Sequence, residues 1–283
     1  MKTLDTLIKI ALEEDSAFND ITSKEFVPLD KKAKAILIAN KDGVLAGVDV
    51  FVKVFRMLDD SCKVVLKKKD SSVLNKGDKI LEITGPARVI LSGERTALNF
   101  LQYMSGISTL TSNFVKAVAS NGGKPKIYDT RKILPGYRQL AKYAVRCGGG
   151  ANHRIGLSDM VLIKDNHLKL IKNLSYAITN FRKKYKDIKV EVECENLAEV
   201  NNALAAKVDI IMLDNTTPQT ARKMIGIIRK ISTQDYKPEI EISGGINAQS
   251  LKEFAKLDID RISIGIITHS APTLDVTLEV TIN

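Results

Sequence analysis

The sequence contains no tryptophan, and only 5% of its 283 residues are aromatic. So few aromatic side chains argue against a platform on which single-stranded nucleic acid would stack its bases. No apolar run approaches the roughly 20 residues that a membrane-spanning helix needs, so we expect no membrane partner. The first residues place Asp5, Lys9 and Glu13 among apolar residues at helical spacing, whereas a secretory signal has an unbroken apolar stretch. We therefore expect an amphipathic N-terminal helix and a cytoplasmic protein.

Cysteine is also scarce, with only Cys62, Cys147 and Cys194 in the chain. Three is an odd number, and no two of them form a CxxC pair. The sequence therefore supports neither a disulfide framework nor a zinc site. We expect three buried or half-buried thiols.

Charge is unevenly distributed between the signs, because 43 Lys and Arg stand against 33 Asp and Glu, for a net charge of +10. One explanation is a polyanionic partner such as nucleic acid. The other is a small, strongly anionic substrate, with the remaining charge on solvated faces. A run of three lysines, at positions 67–69, is typical of a solvated strand end. The other notable cations lie in segments rich in glycine and histidine, which favours small anions.

The hydrophobic pattern divides the chain into two regions. Residues 34–91 alternate short strands with turns, interrupted by one helix near residues 50–58. Here residues 84–86 predict a turn and residues 88–91 a strand, while Ser92 predicts the N-cap of a helix that ends near Gly106, with a second helix over residues 110–119. From Lys126 onward six candidate strands alternate with loops and helices. This alternation indicates a parallel α/β sheet, either a barrel, complete or not, or an open doubly wound sheet.

Functional side chains of parallel barrels lie at the carboxyl ends of the strands. All six candidate strand ends carry polar, charged or glycine residues, namely Thr130, Arg131, Lys132, Lys164, Glu193, Asp214, Ser243, Gly244, Gly245, Gly265 and His269. The glycines at the last two ends predict a phosphate site, since they let backbone N–H groups approach phosphate oxygens.

Two acidic residues, Glu193 and Asp214, follow consecutive candidate strands. Such a pair could hold ribose hydroxyls or Mg²⁺, which prefers hard oxygen ligands. The spacing also allows a glycosidase pair, which the surrounding cations disfavour. Either acid could instead be a satisfied structural carboxylate.

Basic residues are concentrated around the glycine loops in the middle of the chain. They are Arg131, Lys132, His153, Arg154 and Lys164. Arginine pairs bidentately with carboxylates and phosphates. All three histidines, at positions 153, 167 and 269, lie in the predicted strand-end segments. The sequence therefore predicts an anion-binding pocket at this edge of the sheet.

Six segments resemble those of the quinolinate phosphoribosyltransferase family. They are SGERTALN at residues 92–99, DTRK at 129–132, GGGANHR at 148–154, LIKDNH at 162–167, SGG at 243–245 and THS at 268–270. The resemblance extends from Asn19 to Asp275. Asn19 itself stands where the family usually has glycine, and Ile133 stands where threonine usually follows the Arg-Lys pair. These two departures affect local loop geometry and carry no charge in the expected chemistry.

The resemblance implies an α/β fold with two domains. A barrel-like parallel domain, incomplete and of about six strands, would span residues 111–269. An α+β open-sandwich domain would be formed by residues 1–110 and completed by residues 270–283. The implied reaction transfers phosphoribosyl from phosphoribosyl pyrophosphate (PRPP) to quinolinate with decarboxylation, giving nicotinate mononucleotide, pyrophosphate and CO₂ for NAD biosynthesis.

The resemblance also implies a role for each candidate residue. The carboxylates of quinolinate would be held by Arg95, Arg131, His153 and Arg154. The groups serving quinolinate or the phosphates would be Thr130, Lys132 and Lys164. The ribose and Mg²⁺ of PRPP would be held by Glu193 and Asp214, which with the two lysines form the expected catalytic set. The 5-phosphate would be bound by Ser243, Gly244, Gly245, Gly265 and His269. In the implied homodimer, Arg95 enters the active site of the other subunit.

Two alternatives remain open from the sequence. A ModD-like paralogue, from the molybdenum-associated branch of the same fold, would act on a different anionic substrate and shares the Thr-Arg-Lys and His-Arg elements. Residues 164–167 and Asn152 fit the quinolinate enzymes better. On charge alone, a basic nucleic-acid-binding protein is the alternative from another class, although we expect no nucleic-acid partner.

Overall fold

The structure, a computed structural model, describes residues 2–281 and divides into two units. One comprises the chain up to Ser112, Leu134–Gly149 and the chain from Ser270 onward, and the other comprises Asn113–Ile133 and Gly150–His269. Met1 and residues 282–283, which the predicted N-terminal domain includes, lie outside the described residues.

Twelve strands and eleven α-helices are assigned within the described residues. The elements up to the middle of the chain are α1 (Lys2–Glu14), a 3₁₀ helix (Ala17–Asn19), α2 (Ile21–Phe26), β1 (Lys32–Ala39), β2 (Gly43–Val44), α3 (Val48–Leu58), β3 (Lys63–Leu66), β4 (Val73–Leu74), β5 (Lys79–Pro86), α4 (Ala87–Ser120), β6 (Lys126–Tyr128) and α5 (Arg138–Cys147). Those that follow are β7 (Val161–Ile163), α6 (Asp165–Leu168), α7 (Leu174–Lys184), β8 (Val190–Cys194), α8 (Leu197–Ala205), β9 (Ile210–Asp214), α9 (Pro218–Ile231), β10 (Glu239–Ser243), α10 (Ala248–Phe254), β11 (Arg261–Ser263), α11 (Ile266–His269) and β12 (Val276–Thr281).

An antiparallel sheet of order β12-β1-β5-β3 forms the centre of the first unit. Strand β1 buries every second residue, including Ala35, Leu37 and Ala39, which is the period of a sheet with one face on a core. The C-terminal strand β12 pairs antiparallel with β1, with Leu278 opposite Leu37. The expected completion of this sheet by the C-terminal tail is therefore confirmed.

The long helix α4 corrects three local predictions. The expected turn at residues 84–86 belongs to β5, and the expected strand at residues 88–91 belongs to α4, which also replaces the two predicted helices by one of 34 residues. Ile90, Leu101 and Met104 are fully buried at helical spacing, but a short apolar run such as residues 88–91 does not by itself distinguish a strand from a buried helix. Ser92 is therefore inside the helix, where its hydroxyl donates to Asp20 Oδ2 at 2.9 Å rather than capping it.

Gly106 explains why the sequence suggested a helix end within α4. A Cβ on this residue would lie 2.0 Å from the carbonyl oxygen of Pro272. The glycine therefore accommodates the C-terminal segment, which passes against the helix, and does not terminate it. Although α4 is long, no helix within residues 2–281 is both long and apolar enough to cross a membrane.

A six-stranded parallel sheet of order β6-β11-β10-β9-β8-β7 forms the second unit. Strands β7 to β11 are neighbours in chain order, as in a barrel, whereas a doubly wound sheet reverses its order near the middle. Beyond β6 a single bridge joins Tyr128 to Ala151, and the described residues do not close the sheet between there and β7. The predicted incomplete, barrel-like domain is confirmed, and the doubly wound alternative is wrong.

The three cysteines are free thiols, as expected. Cys62 and Cys194 are buried, and Cys147 is half-buried.

Candidate active site

One cavity of about 690 Å³ lies at the carboxyl ends of the parallel strands. The predicted site residues that line it are Thr130, Arg131, Lys132, His153, Arg154, Lys164, Glu193, Asp214, Ser243, Gly244, Gly245, Gly265 and His269. They follow all six strands of the sheet, because the carboxyl ends of parallel strands meet at one edge. Of the predicted site residues, only Arg95 is absent from this lining.

Basic residues outnumber acidic residues in the lining of this cavity. The side chains of Arg131, Lys132, Arg154 and Lys164 face two acidic residues, Glu193 and Asp214. Because these cations converge on one concave site, they fit a compact polyanion better than the extended backbone of nucleic acid. The structure thus favours the small-anion explanation of the surplus charge.

Lys164 and Glu193 form an ion pair inside the cavity, with Lys164 Nζ 2.6 Å from Glu193 Oε2. Glu193 is the next-to-last residue of β8, whose five residues are all buried, and its side chain is only 9% exposed, whereas that of Lys164 is 46% exposed. The ion pair therefore holds the lysine ammonium at the carboxyl ends of the parallel strands. His167 does not line this cavity; its Nδ1 accepts the backbone N–H of Lys164 at 2.9 Å and so caps the start of α6.

The loops after β9 and β10 are fitted to one another. Asn215 adopts a left-handed conformation, with φ of 50°, and its N–H donates to the carbonyl of Ser243 at 3.1 Å. Its side-chain amide donates to Asp214 Oδ2 at 2.5 Å. Gly244 has a φ of 87°, and a Cβ there would lie 2.3 Å from Asn215 Oδ1. Only glycine fits this position. The loop after β10 therefore presents its backbone to the cavity with no side chain at Gly244.

The loop after β6 is hydrogen-bonded to helix α11, which follows β11. The hydroxyl of Thr268 donates to the carbonyl of Lys132 at 2.9 Å, and Thr130 Oγ1 accepts the N–H of Lys132 at 3.1 Å. A Cβ on Gly265 would lie 3.3 Å from both Lys132 Cδ and the His269 ring. The absence of a side chain at Gly265 thus lets the lysine and the histidine approach the same point.

His153 connects the cavity to a buried polar layer beneath it. Its Nδ1 accepts the backbone N–H of Arg154 at 2.8 Å, and the backbone N–H of His153 donates to Asp129 Oδ1 at 2.9 Å. Its Nε2 lies 3.0 Å from Glu191 Oε2 and 3.5 Å from Glu241 Oε1. Nδ1 is therefore hydrogen-bonded, and Nε2 lies within ion-pair distance of two buried carboxylates.

The ionisable groups of this layer shift one another. Burial and the nearby Glu241 carboxylate raise the pKa of Glu191 to about 7. Burial lowers the pKa of His153, but its contacts with Glu191 and Glu241 outweigh that effect and raise it. Because Nδ1 accepts the N–H of Arg154, the protons that these shifts retain lie among Nε2 and the two carboxylates, and they belong to the group as a whole. Burial, followed by repulsion from Arg131, lowers the pKa of Arg154, so the two guanidinium groups lie close enough to interact.

Sequence reasoning missed Glu191 and Glu241, and it assigned no role to Asn215. The two glutamates lie inside buried strands, where apolar residues are the rule, and each precedes a cavity residue by two positions, Glu193 and Ser243 respectively. Since side chains two apart on a strand point the same way, that spacing was the available signal. Asn215 follows Asp214 directly, but its role depends on a contact with a different loop.

Arg95 lies on α4, in the other unit. It lines a separate cavity of about 330 Å³ together with Asp15, Asp20 and Ser92.

An incomplete parallel barrel with a cationic cavity and bare glycine backbone at its strand ends defines an α/β enzyme for phosphorylated, anionic substrates. Two family models match the chain: quinolinate phosphoribosyl transferase, N-terminal domain, over residues 20–105, and the C-terminal domain of the same family over residues 107–279. The chain therefore belongs to the quinolinate phosphoribosyltransferase family.

Individual relatives extend over almost the whole chain. The probable nicotinate-nucleotide pyrophosphorylase (carboxylating) of Bacillus subtilis is 39% identical over 271 residues, which cover 95% of this chain and 91% of that protein. The protein of the same description from Methanocaldococcus jannaschii is 39% identical over 276 residues, which cover 97% of this chain and 96% of that protein. The solved structure of the nicotinate-nucleotide pyrophosphorylase from Francisella tularensis has a TM-score of 0.90 and 38% identity, covering 99% of this chain and 96% of that one.

Proposed function

We propose that this protein transfers the phosphoribosyl group of PRPP to the ring nitrogen of quinolinate and releases the 2-carboxylate as CO₂. The products are nicotinate mononucleotide, for NAD biosynthesis, and pyrophosphate. The observation that carries the proposal is the convergence of the family's basic and glycine segments on one cavity. Its volume of about 690 Å³ lies within the ordinary range for small-molecule sites.

Quinolinate would be held by the basic side of the cavity. Arg131 and Arg154 present guanidinium groups, which pair bidentately with carboxylates. Lys132 and Lys164 add point charges that serve either the carboxylates or the phosphates. A dianion placed between Arg131 and Arg154 would relieve the mutual repulsion that, after burial, lowers the pKa of Arg154 in the free protein.

The 5-phosphate of PRPP would bind at the glycine side of the cavity. The lining there is Ser243, Gly244, Gly245, Gly265 and His269. Gly244 and Gly245 both adopt positive φ angles, of 87° and 60°, and without side chains they leave the backbone open to the close approach of an anion. Thr130 follows β6, which pairs with β11, and it also lines the cavity.

The residues present fit a magnesium ion that accompanies PRPP. Glu193 and Asp214 supply two carboxylates to one cavity, and Mg²⁺ is usually bound through one or two carboxylates together with substrate phosphates. When bound, the ion neutralises negative charge that develops on the leaving pyrophosphate. The same two carboxylates can accept hydrogen bonds from ribose hydroxyls.

The chemistry needs positioning and charge more than a reactive side chain. The pyridine nitrogen forms a bond to C1 of the ribose while the C1–O bond breaks and its electron pair leaves with pyrophosphate. Lys132 and Lys164 are already in place to stabilise that charge without reorganisation, and holding the two substrates in line lowers the barrier further. The C2–carboxylate bond then breaks, its electron pair is stabilised by the new pyridinium, and a proton from water replaces CO₂.

We further infer a cytoplasmic homodimer. The support for a second subunit is that Arg95, which the family resemblance assigns to the carboxylates of quinolinate, lines a different cavity in its own chain. In a symmetric dimer each chain would donate this arginine to the other.

The proposed function is tested by the dependence on each substrate. The purified protein should form nicotinate mononucleotide and CO₂ from quinolinate, PRPP and Mg²⁺. Nicotinate in place of quinolinate should give little product, because it lacks the 2-carboxylate that pairs with a guanidinium group. Equal turnover of nicotinate, or no turnover of quinolinate, would favour a paralogue that acts on a different anion.

The Gly244→Ala variant tests the phosphate assignment. We expect its KM for PRPP to rise about tenfold or more, because the left-handed backbone and the close approach of Asn215 force the loop after β10 to move. Steady-state rates over a range of PRPP concentrations measure the change. The matched control is Gly226→Ala on α9, where an added Cβ meets nothing within 4 Å. An unchanged KM for PRPP in Gly244→Ala would contradict the assignment.

A further inference from the structure

The layer beneath the cavity is polar, although the interior of a parallel barrel is usually filled by branched apolar side chains. Glu191 and Glu241 are fully buried, and His153 is 7% exposed. Burying two carboxylates is costly unless they are paired or hydrogen-bonded. This cluster therefore has a physical role that its position in the core does not by itself explain.

The ring of His153 has a defined tautomer in this arrangement. Because Nδ1 accepts the N–H of Arg154 at 2.8 Å, it offers a lone pair and carries no proton. The ring proton therefore lies on Nε2, which is 3.0 Å from Glu191 Oε2 and 3.5 Å from Glu241 Oε1. The protonated Nε2 thus faces the two glutamate carboxylates at ion-pair distance, while Nδ1 accepts from Arg154.

The same tautomer decides against a metal ion at these three residues. Their ligand atoms all lie within 4.8 Å of one another, a spacing that a divalent cation could bridge. A histidine binds a metal through a deprotonated nitrogen, while its other ring N–H donates to a neighbour. Here Nε2 carries the proton and Nδ1 is an acceptor, so the nitrogen facing the carboxylates is not available as a ligand.

The glutamates are themselves held by their strands. The hydroxyl of Ser263 on β11 donates to Glu241 Oε1 at 2.5 Å, and Arg261 NH1 lies 4.0 Å from Glu241 Oε2. Glu191 is in the middle of β8, which pairs with β7 and β9. The acceptors of the His153 proton are thus fixed by three strands of the sheet.

The segment that carries Arg154 has no regular secondary structure of its own, so other contacts must hold it. Asp129 accepts the N–H of His153 at 2.9 Å and the side-chain amide of Asn152 at 2.6 Å. The backbone N–H of Arg154 donates to His153 Nδ1, and its side-chain Nη1 donates to the carbonyl of Met160 at 3.3 Å. The direction of the guanidinium therefore depends on the ring of His153.

We propose that Glu191 and Glu241 are positioning residues that fix the His153 ring and, through its Nδ1, the backbone of Arg154 against the cavity. His153 then contributes to quinolinate binding by orienting Arg154 and not by offering a ring N–H to a carboxylate. The proposal rests on the proposed function, since it names what sets the carboxylate-binding geometry of that site.

The test compares two changes at Glu191 that differ only in hydrogen bonding. Glu191→Leu removes the acceptor at similar size, and we expect the KM for quinolinate to rise about tenfold or more while the KM for PRPP changes little. Glu191→Gln keeps an acceptor oxygen for Nε2–H and should recover most of that loss. Ile240→Val, a buried change on β10 whose side chain points to the other face of the strand from Glu241, is the matched control for altered packing.

A double-mutant cycle between Glu191 and Arg154 is the decisive experiment. If Glu191 acts through Arg154, then adding Glu191→Leu to Arg154→Ala should raise the KM for quinolinate by less than about twofold further. A full, independent effect in that background, or an unchanged KM in the single variant with native thermal unfolding, overturns the proposal.

A measurement independent of activity separates this proposal from the proposed function. Long-range nitrogen–hydrogen correlation spectra report the tautomer of each imidazole, and the chain has only three histidines. Wild-type protein should show His153 protonated at Nε2, and Glu191→Leu should alter that signal. A proton on Nδ1 overturns the proposal even if the enzyme turns over quinolinate. If quinolinate is not turned over, the proposed function fails, while the spectra still decide the hydrogen bonds.

Discussion

The Arg131→Ala variant should lose about 100-fold or more in kcat/KM for quinolinate, since truncating one partner of a desolvated charge pair costs about 2–5 kcal/mol. Arg131 follows β6 and lines the cavity within range of the Arg154 guanidinium. Removing it leaves one arginine to hold a dianion whose two carboxylates need separate partners. Initial rates over a range of quinolinate concentrations, at saturating PRPP, measure the loss.

Two companions make this result specific. Arg131→Lys keeps the charge but not the planar pair of donors, so its activity should lie between those of the wild type and the alanine variant. Arg222→Ala removes an exposed arginine of α9 that does not line the cavity, and it should leave the rates nearly unchanged. If Arg131→Ala behaves like Arg222→Ala, the carboxylate assignment is wrong.

A mixture of two inactive variants should recover activity if Arg95 completes the site of a second subunit. Arg95→Ala chains retain Lys164, and Lys164→Ala chains retain Arg95. In a hybrid dimer, one of the two sites then has both residues, so an equal mixture that exchanges freely should reach about a quarter of the wild-type activity. Rates measured before and after subunit exchange in mild denaturant test this.

Two further mixtures of variants are the controls for this experiment. Arg95→Ala mixed with Arg131→Ala should also recover, since Arg131 and Lys164 line the same cavity. Lys164→Ala mixed with Arg131→Ala should not recover, because each hybrid site would lack one of the two residues. Activity that stays absent in every mixture would show that Arg95 is not shared between chains.

Much of the catalytic unit could be predicted from the sequence. The alternation of six strands with helices from Lys126 onward was predicted, since buried strands are short apolar runs bounded by polar residues and glycines. The cavity lining followed from the same pattern, because every parallel strand ends at one edge and Lys164, Glu193 and Asp214 each stand at such an end. The strand positions and the residues at the strand ends can be predicted because each depends only on residues that are close together in the sequence.

Contacts between distant residues decided the rest. Residues 88–91 are helical because α4 buries Ile90, and Gly106 continues that helix because its missing side chain admits Pro272. The sequence could also not show that His153 turns its ring toward Glu191 and Glu241, from two other strands.

By itself, then, the sequence determined the alternating strands and helices, the family and the residues that line the cavity, because local periodicity and the residue after each strand carry that information. Only the tertiary structure decided the length of α4, the place where the parallel sheet stays open, and the polar layer beneath the cavity. Each of these depends on which groups meet across the fold, where burial and unpaired hydrogen-bonding groups outweigh local preference.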